Sequence, residues 1–196
     1  MEEMLDILDE NGISTGIRKE RNAVHTDGDW HKVIQIFVVN GNKILLQQRA
    51  LDKKSDPGKW CASASGHISA GETSFTAAIK EFYEELGIEV ERNKLKLVDT
   101  FKSPSIRTAN GKTIYNNHFV DLYISEQSID LGKVRLQQEE VAQVKFYEIS
   151  EFESMVKSRD ERLTDTPILF EHLLSKLSLI KRNINDGEVR WKLELI

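Results

Sequence analysis

The feature that most constrains this chain is a glycine-containing loop, residues 66–72, that runs directly into a helix predicted over residues 74–86. At about 100° per residue, Glu81, Glu84 and Glu85 cluster at spacings i, i+3 and i+4, where their charges repel one another. Three carboxylates on one face suit a hard dication that takes oxygen ligands, Mg²⁺ or Mn²⁺. An apolar stripe, centred about 120° around the helix from the glutamates, is predicted to face a core: Phe75, Ala78, Ile79, Phe82 and Leu86.

The glycines of this segment have separate tasks. Gly66 and Gly71 bracket the loop and allow it to turn sharply, which brings a backbone oxygen near the same metal, and Gly87 is placed to end the helix. The acidic helix alone is equally well explained as a solvated surface. The loop at this spacing favours a metal site instead.

The spacing resembles the Nudix box, a pattern of glycines and glutamates that ends in an apolar residue. The matching residues are Gly66, Glu72, Glu81, Glu84, Glu85, Gly87 and Ile88. Six glycine and glutamate identities at fixed spacing, each at a background frequency of about 7%, would match a random window roughly once in ten million trials. The family has Arg where this chain has Lys80, which keeps the charge but lacks the planar fork that helps hold the helix glutamates.

The resemblance implies a fold and an activity. The fold is the Nudix α/β/α sandwich, an α/β fold with a mixed sheet on which the box helix packs. The activity is metal-dependent hydrolysis of an organic diphosphate, with Mg²⁺ or Mn²⁺ held by Glu81, Glu84 and Glu85 and helped by the Gly66 carbonyl. Glu72 is expected to support the loop and helix. The loop 103–112, which contains Pro104, is expected to border the substrate.

Residues near the box supply the remaining candidates. The segment 137–141 resembles a Nudix loop that often adds a carboxylate, so Glu139 or Glu140 is a candidate general base. Arg49, Lys53 and Lys54 are candidates for binding phosphate, although exposed charges in loops are more often only solvated.

A second resemblance covers about residues 25–87. The type I isopentenyl-diphosphate isomerases, which belong to the Nudix superfamily, share several short elements with this chain. These are Arg49-Ala50-Leu51 followed by Lys53-Lys54, Pro57-Gly58 followed by Trp60, and Gly66-His67. Their metal is held by three histidines and two glutamates, so the resemblance implies a second metal or phosphate site. The candidates for that site are His25, His31, His67 and His118.

The same comparison favours hydrolysis over isomerisation. The isomerases carry a Cys immediately before the Gly-His pair, where this chain has Ser65, and Cys61 lies four residues too early. The two glutamate ligands are replaced by Asn116 and His118, whereas the helix acids that are degenerate in the isomerases are present here. An isomerase and a non-catalytic module that senses a diphosphate remain the alternatives, and Lys80 is the only hint of the latter.

Composition limits the remaining possibilities. The 196 residues suit one domain, with an N-terminal extension (1–30), a Nudix domain (31–150) and C-terminal helices with a tail packed on it (151–196). The net charge of −5 argues against nucleic acid as a partner. No apolar run approaches a membrane span, and the acidic N-terminus is unlike a signal peptide, so we expect a cytoplasmic protein. The lone Cys61 fits a reducing compartment as a small buried residue.

The remaining chain is predicted to alternate strands and helices. Ser150 is expected to cap a helix to about residue 158, and Pro167 to begin a leucine-rich helix whose apolar face suits core packing or a homodimer seam. Alternating residues in the tail 183–196 suggest a strand, with pairing across subunits left open. The predicted strands are 33–39, 43–48, 94–100, 114–124 and 143–147.

Overall fold

The computed structural model describes residues 2–53, 55–109, 111–179, 181–185 and 188–192. Its strands are β1 (Met4–Leu8), β2 (Ser14–Glu20), β3 (His31–Asn40), β4 (Lys43–Arg49), β5 (Trp60–Cys61), β6 (Ala64–His67), β7 (Leu95–Ala109), β8 (Lys112–Ser125), β9 (Val141–Glu148), β10 (Lys181–Asn185) and β11 (Glu188–Lys192). Its helices are α1 (Arg21–Asp27), α2 (Ser74–Leu86), α3 (Ile149–Ser158) and α4 (Pro167–Leu179).

A seven-stranded sheet forms the centre of the fold. Its strands follow the order β5-β4-β3-β8-β7, while β6 pairs with β3 and β9 pairs with β4. Strands β3 and β8 are parallel, and the other pairs in this sheet are antiparallel. The sheet is therefore mixed, as the sequence predicted.

Strand β3 shows how the two faces of the sheet are covered. Because successive side chains of a strand point to opposite faces, Val33 and Phe37 pack into a core shared with α3 and α4. Ile34 and Ile36 pack into a second core on the other face, shared with α2. Helices therefore cover both faces, which confirms the predicted α/β/α sandwich.

The sheet forks where β3 changes partner. Residues 33–36 of β3 pair with β6, whereas residues 38–40 pair with β4. The fully buried Ser63 links β3 and β4 at this point. Its hydroxyl accepts from the Val38 amide at 2.8 Å and donates to the Leu45 carbonyl at 2.5 Å. Strands β4 and β6 separate at this point.

Helix α2 has the bounds that its sequence pattern predicted. Thr73 caps its N-terminus, and Thr73 and Thr76 form a reciprocal capping box. Gly87 ends the helix in the left-handed conformation, with a φ of 66°. The helix buries Ala77, Ala78, Phe82, Glu85 and Leu86.

The N-terminal residues form a hairpin, β1–β2, that packs on the glycine loop. The Met4 carbonyl accepts from the Ala70 amide at 2.8 Å, and the Asp6 carboxylate accepts from the Gly71 amide at 2.7 Å. The charged run that begins at Arg18 belongs to β2 and α1, where Arg18 pairs with Asp6 and Arg21 with Glu3, each at 2.9 Å.

Two local predictions were wrong. Most of the expected loop 103–112 belongs to the hairpin β7–β8, in which Pro104 lies opposite Asn117. Ser150 does not cap α3, because that helix begins at Ile149 and its N-cap residue is Glu148.

The C-terminal elements settle two further points. The leucine-rich face of α4 is packed into the core, because Leu169, Leu173 and Leu177 are all buried there. In the tail, β10 and β11 form an antiparallel pair, and residues 193–196 lie outside the described residues. Within the described chain, no helix combines the length and apolar character needed to cross a membrane.

Candidate active site

Glu85 occupies the fork between β4 and β6. Its side chain is buried, with the residue only 5% exposed, and its Oε2 accepts from the Ser65 amide at 3.0 Å and from the Gln47 side-chain amide at 3.2 Å. Burial raises the pKa of Glu85 to about 8. The carboxyl group therefore holds its proton at neutral pH unless a cation compensates its charge.

Glu81 lies directly against the glycine loop. A Cβ at Gly66 would overlap the Glu81 carboxylate, so any larger residue at this position would displace that side chain. Burial raises the pKa of Glu81 to about 7, although the Lys80 ammonium, 3.3 Å away, acts in the opposite direction. Lys80 also lies 3.5 Å from Glu72, whose carboxylate accepts from the Ser69 amide at 3.3 Å. Lys80 thus connects the helix to the loop.

The three helix acids differ in exposure. Glu85 is buried, Glu81 is partly buried, and Glu84 is exposed at the surface but close enough for its charge to add to the raised pKa of Glu81. The structure therefore brings Glu81 and Glu85 to the glycine loop and leaves Glu84 at the solvent edge of the same helix face.

The two candidate bases are not equivalent. Glu140 is partly buried, accepts from the Lys53 ammonium at 2.5 Å, and its charge contributes, after burial, to the raised pKa of Glu85. Glu139 is exposed. Of the candidate phosphate ligands, Arg49 is the last residue of β4 and donates to the Ser55 carbonyl, in the loop that follows, at 2.9 Å. Lys54 lies outside the described residues.

The four candidate histidines converge on one point. His25 comes from α1, His31 from β3, His67 from β6 and His118 from β8, and one ring nitrogen of each lies within 4.8 Å of the others. Strand register explains this, since His31 is the partner of His118 and His67 is the partner of Val33. His67 also follows Gly66 directly, so this cluster adjoins the carboxylate site.

Burial keeps these imidazoles neutral. It lowers the pKa of His31 to about 4 and holds the pKa values of His67 and His118 well below the ordinary value, while the pKa of His25 is also lowered. Neutral imidazoles have a free ring nitrogen, which can bind a metal ion or accept a hydrogen bond.

Sequence reasoning missed the residues that hold Glu85. Gln47 and the Ser65 amide are its donors, and neither has a sequence signal, because their role arises from the fork in the sheet. It also missed α1, which carries His25 and ends at Gly28 in the left-handed conformation.

Comparison with known proteins identifies the family. The model of the NUDIX domain matches residues 29–166. The chain belongs to the Nudix family. This confirms the relationship that the spacing of the glycine loop and helix acids predicted.

Curated Nudix relatives carry both of the anticipated names. The chain is 39% identical over 163 residues to Nudix hydrolase 3 of Arabidopsis thaliana, a match that covers 81% of this chain and 21% of that protein. It therefore spans about a fifth of that relative's length. It is also 34% identical over 144 residues to an isopentenyl-diphosphate Delta-isomerase of Dinoroseobacter shibae, covering 71% of this chain and 76% of that protein.

Solved structures support the Nudix fold. The DR0079 protein of Deinococcus radiodurans aligns with a TM-score of 0.64 at 16% identity, covering 87% of this chain and 98% of that one. The NUDIX domain of NrtR from Shewanella oneidensis, solved with ADP ribose, aligns with a TM-score of 0.53 at 18% identity, covering 74% of this chain and 87% of that one. At these identities the likeness extends to the fold alone.

Proposed function

We propose that this Nudix chain is a metal-dependent hydrolase that cleaves the diphosphate linkage of a nucleotide derivative or another organic diphosphate. The observation that carries the proposal is Glu85, a buried acid held by two donors at the fork of the sheet. A buried carboxyl group with a pKa raised to about 8 is costly to ionise, and its placement beside the glycine loop suits a cation ligand.

The residues around the loop fit a hard divalent cation. Glu81, Glu84 and Glu85, with the Gly66 carbonyl, offer oxygen ligands, which Mg²⁺ and Mn²⁺ prefer. When bound, such an ion supplies positive charge that polarises the phosphoryl group and neutralises its oxygens. Lys80 positions Glu81 and Glu72 through its two ion pairs.

Glu140 is the base that the geometry favours. It is near enough to raise the pKa of Glu85, whereas Glu139 is exposed. In the proposed reaction Glu140 removes the proton from the attacking water, and Lys53, now paired with Glu140 at 2.5 Å, contributes positive charge beside the diphosphate. Arg49 shapes the neighbouring loop through its bond to Ser55.

Isomerisation of isopentenyl diphosphate is the second candidate, because several curated relatives carry that name at 30–34% identity. Its chemistry moves a proton at carbon, and the family resemblance assigns that step to a Cys where this chain has Ser65. Cys61 does not replace it, because burial raises the pKa of its thiol to about 12. These residues favour hydrolysis.

The diphosphate sensor is the third candidate. Lys80 was its only support, since arginine stands at that position in the family pattern. The ion pairs of Lys80 with Glu72 and Glu81 give the lysine a positioning role compatible with turnover.

One assay separates the three candidates. Purified protein with Mg²⁺ is incubated with nucleotide sugars, dinucleoside polyphosphates, nucleoside di- and triphosphates, and isopentenyl diphosphate. Phosphate-containing products and double-bond migration are both followed. We expect phosphate-containing products. Migration without hydrolysis would support the isomerase, and tight binding without product would support the sensor.

Variants connect that activity to the site. Glu85→Gln and Glu140→Gln are each expected to lower kcat/KM by about 10²–10⁴-fold. Glu139→Gln is the matched control, because Glu139 is the exposed neighbour in the same segment. Equal losses in Glu139→Gln and Glu140→Gln would contradict the assignment of the base.

A further inference from the structure

The β4–β5 segment, residues 50–53 and 55–59, holds Glu140 at two points. The Ala50 amide donates to the Glu140 carbonyl at 2.9 Å, and the Lys53 ammonium lies 2.5 Å from the Glu140 carboxylate. One contact fixes the backbone of the proposed base, and the other fixes its reactive group. The position of Glu140 therefore depends on how firmly this segment is held.

An ion pair holds the β4–β5 segment from the far end of the sheet. The Asp56 carboxylate, in this segment, pairs with the Arg107 guanidinium of β7. The two side chains are only 14% and 25% exposed, so water and salt screen this pair less than they screen a surface ion pair. Because β5 and β7 are the first and last strands of the sheet order, the contact joins its opposite ends.

The backbone of Asp56 shows that this contact is closely constrained. Its φ of 49° is left-handed, a conformation that Arg159 alone shares among the non-glycine residues that the structure describes. Left-handed backbone is strained for a residue with a Cβ and persists only where surrounding contacts fix it. At Asp56 these contacts are the ion pair with Arg107 and the hydrogen bond from the Lys59 amide to the Asp56 carbonyl at 3.3 Å.

Arg107 lies close to the candidate site but has protein partners. Burial lowers the pKa of His118, and the charge of Arg107 adds to this effect. The guanidinium also donates a weak hydrogen bond to the Asp165 carbonyl at 3.5 Å, next to Thr164, whose amide donates to the Trp60 carbonyl of β5 at 2.9 Å. Contacts with two segments of the chain favour a positioning role for Arg107 over a role as a free phosphate ligand.

We propose that Arg107, through Asp56, is a positioning residue for the base Glu140. The ion pair fixes the β4–β5 segment, and the Lys53 ammonium of that segment then holds the Glu140 carboxylate beside the diphosphate. The inference rests on the proposed function, in which Glu140 takes the proton of the attacking water. Arg107 touches neither the substrate nor the reacting atoms, so its loss should lower kcat more than it raises KM.

Paired variants test whether the ion pair acts as a unit. Arg107→Met and Asp56→Asn each remove it, and asparagine tolerates the left-handed backbone of that position. On a substrate found with the panel, each should lower kcat about tenfold, and the double variant should lose no more than either one. Arg107→Lys, which keeps the charge, should restore most of the activity. Arg162→Met is the matched control, because Arg162 forms its own exposed ion pair with Asp160.

These variants can overturn the proposal directly. Circular dichroism verifies that each one is folded. Unchanged kcat in both single variants, or additive losses in the double variant, would show that the ion pair does not position the base.

A second cycle tests the route from Arg107 to the base. In a Lys53→Met background the ammonium that holds the Glu140 carboxylate is already absent. Arg107→Met should then cost less than about threefold in kcat, because both changes remove the same contact. A full further tenfold loss would mean that Arg107 acts by another route and would overturn the proposal.

Tryptic cleavage follows the β4–β5 segment without any measurement of turnover. Trypsin cuts after Lys53, and its rate there reports how often the segment leaves its folded position. Cleavage should be at least about fivefold faster in Arg107→Met and Asp56→Asn than in the wild type, whereas Arg162→Met should match the wild type. Equal rates in all four proteins would overturn the proposal. If the wild type hydrolyses nothing in the panel, the proposed function fails by itself, and the cleavage rates still decide whether the ion pair fixes the segment.

Discussion

Replacing Glu85 by glutamine is expected to stabilise the metal-free protein at neutral pH. The two donors to Glu85, from Ser65 and Gln47, both reach Oε2, so an amide oxygen in that place keeps both hydrogen bonds. The variant loses only the ionisable group. A residue that serves metal binding would thus reduce stability until its cation binds.

The magnitude follows from the raised pKa. A Glu carboxyl with an ordinary pKa of 4.5 has lost its proton in the unfolded chain at pH 7, whereas Glu85, with a pKa of about 8, keeps it in the folded chain. The folded state therefore binds more protons above pH 4.5, and stability falls as the pH rises toward 8. Over about 2.5 pH units, at about 1.4 kcal/mol per unit, the penalty at pH 7 is about 3 kcal/mol.

Urea unfolding in EDTA measures this penalty. At pH 4, where Glu85 is protonated in both states, the wild type and Glu85→Gln should have similar unfolding free energies. At pH 7 the variant should be more stable by about 3 kcal/mol. Glu84→Gln is the control, because Glu84 is exposed on the same helix and should not show this pH-dependent gain.

Mg²⁺ supplies the second half of the measurement. It should raise the stability of the wild type at pH 7 and have much less effect on Glu85→Gln, because the ion compensates the charge of the carboxylate. A variant no more stable than the wild type at pH 7 in EDTA would refute the reasoning, since it would mean that burial does not oppose the charge of Glu85.

Three further predictions address the loop and the helix. Gly66→Ala should displace Glu81 and weaken Mg²⁺ binding in calorimetry by at least about tenfold; unchanged affinity would contradict the close packing. Lys80→Met should shift the pH dependence of Mg²⁺ binding to higher pH, because the ammonium lowers the pKa of Glu81, and Lys80→Arg should restore it. Thr73→Ala should destabilise the protein by about 1 kcal/mol in urea unfolding, since it removes the capping box with Thr76; no change would show that the cap is dispensable.

The helix of the site was predictable because its signals are local. The helical spacing of its apolar residues, together with Gly87, predicted the bounds of α2. The spacing of the glycine loop and the helix acids predicted the family. The placement of Glu85 at a fork between β4 and β6 was not predictable, because it depends on which strands pair with β3.

The long hairpin β7–β8 shows why a local signal failed. Pro104 suggested a loop, but it lies in β7. This strand is the last in the sheet order and has no neighbouring strand on its outer side, so the N–H that proline lacks is not needed for pairing there. Ser150 failed for a similar reason, since capping preference alone did not fix the first residue of α3.

The convergence of the histidines depended on register. The family resemblance suggested that His25, His31, His67 and His118 act together, but no local pattern places them at one point. That placement requires the parallel pairing of β3 with β8, which joins residues 87 positions apart in the chain.

The change of partner along β3 has a consequence for how the protein tolerates mutation. Ser63 supplies, from a side chain, the acceptor and donor that a neighbouring strand would otherwise provide, so only a small hydroxyl residue suits its place. Its loss would let β4 and β6 shift relative to each other, and the Gln47 and Ser65 donors they carry would no longer reach one oxygen. A fully buried serine thereby sets the spacing of the two donors on which the acid of the neighbouring helix depends.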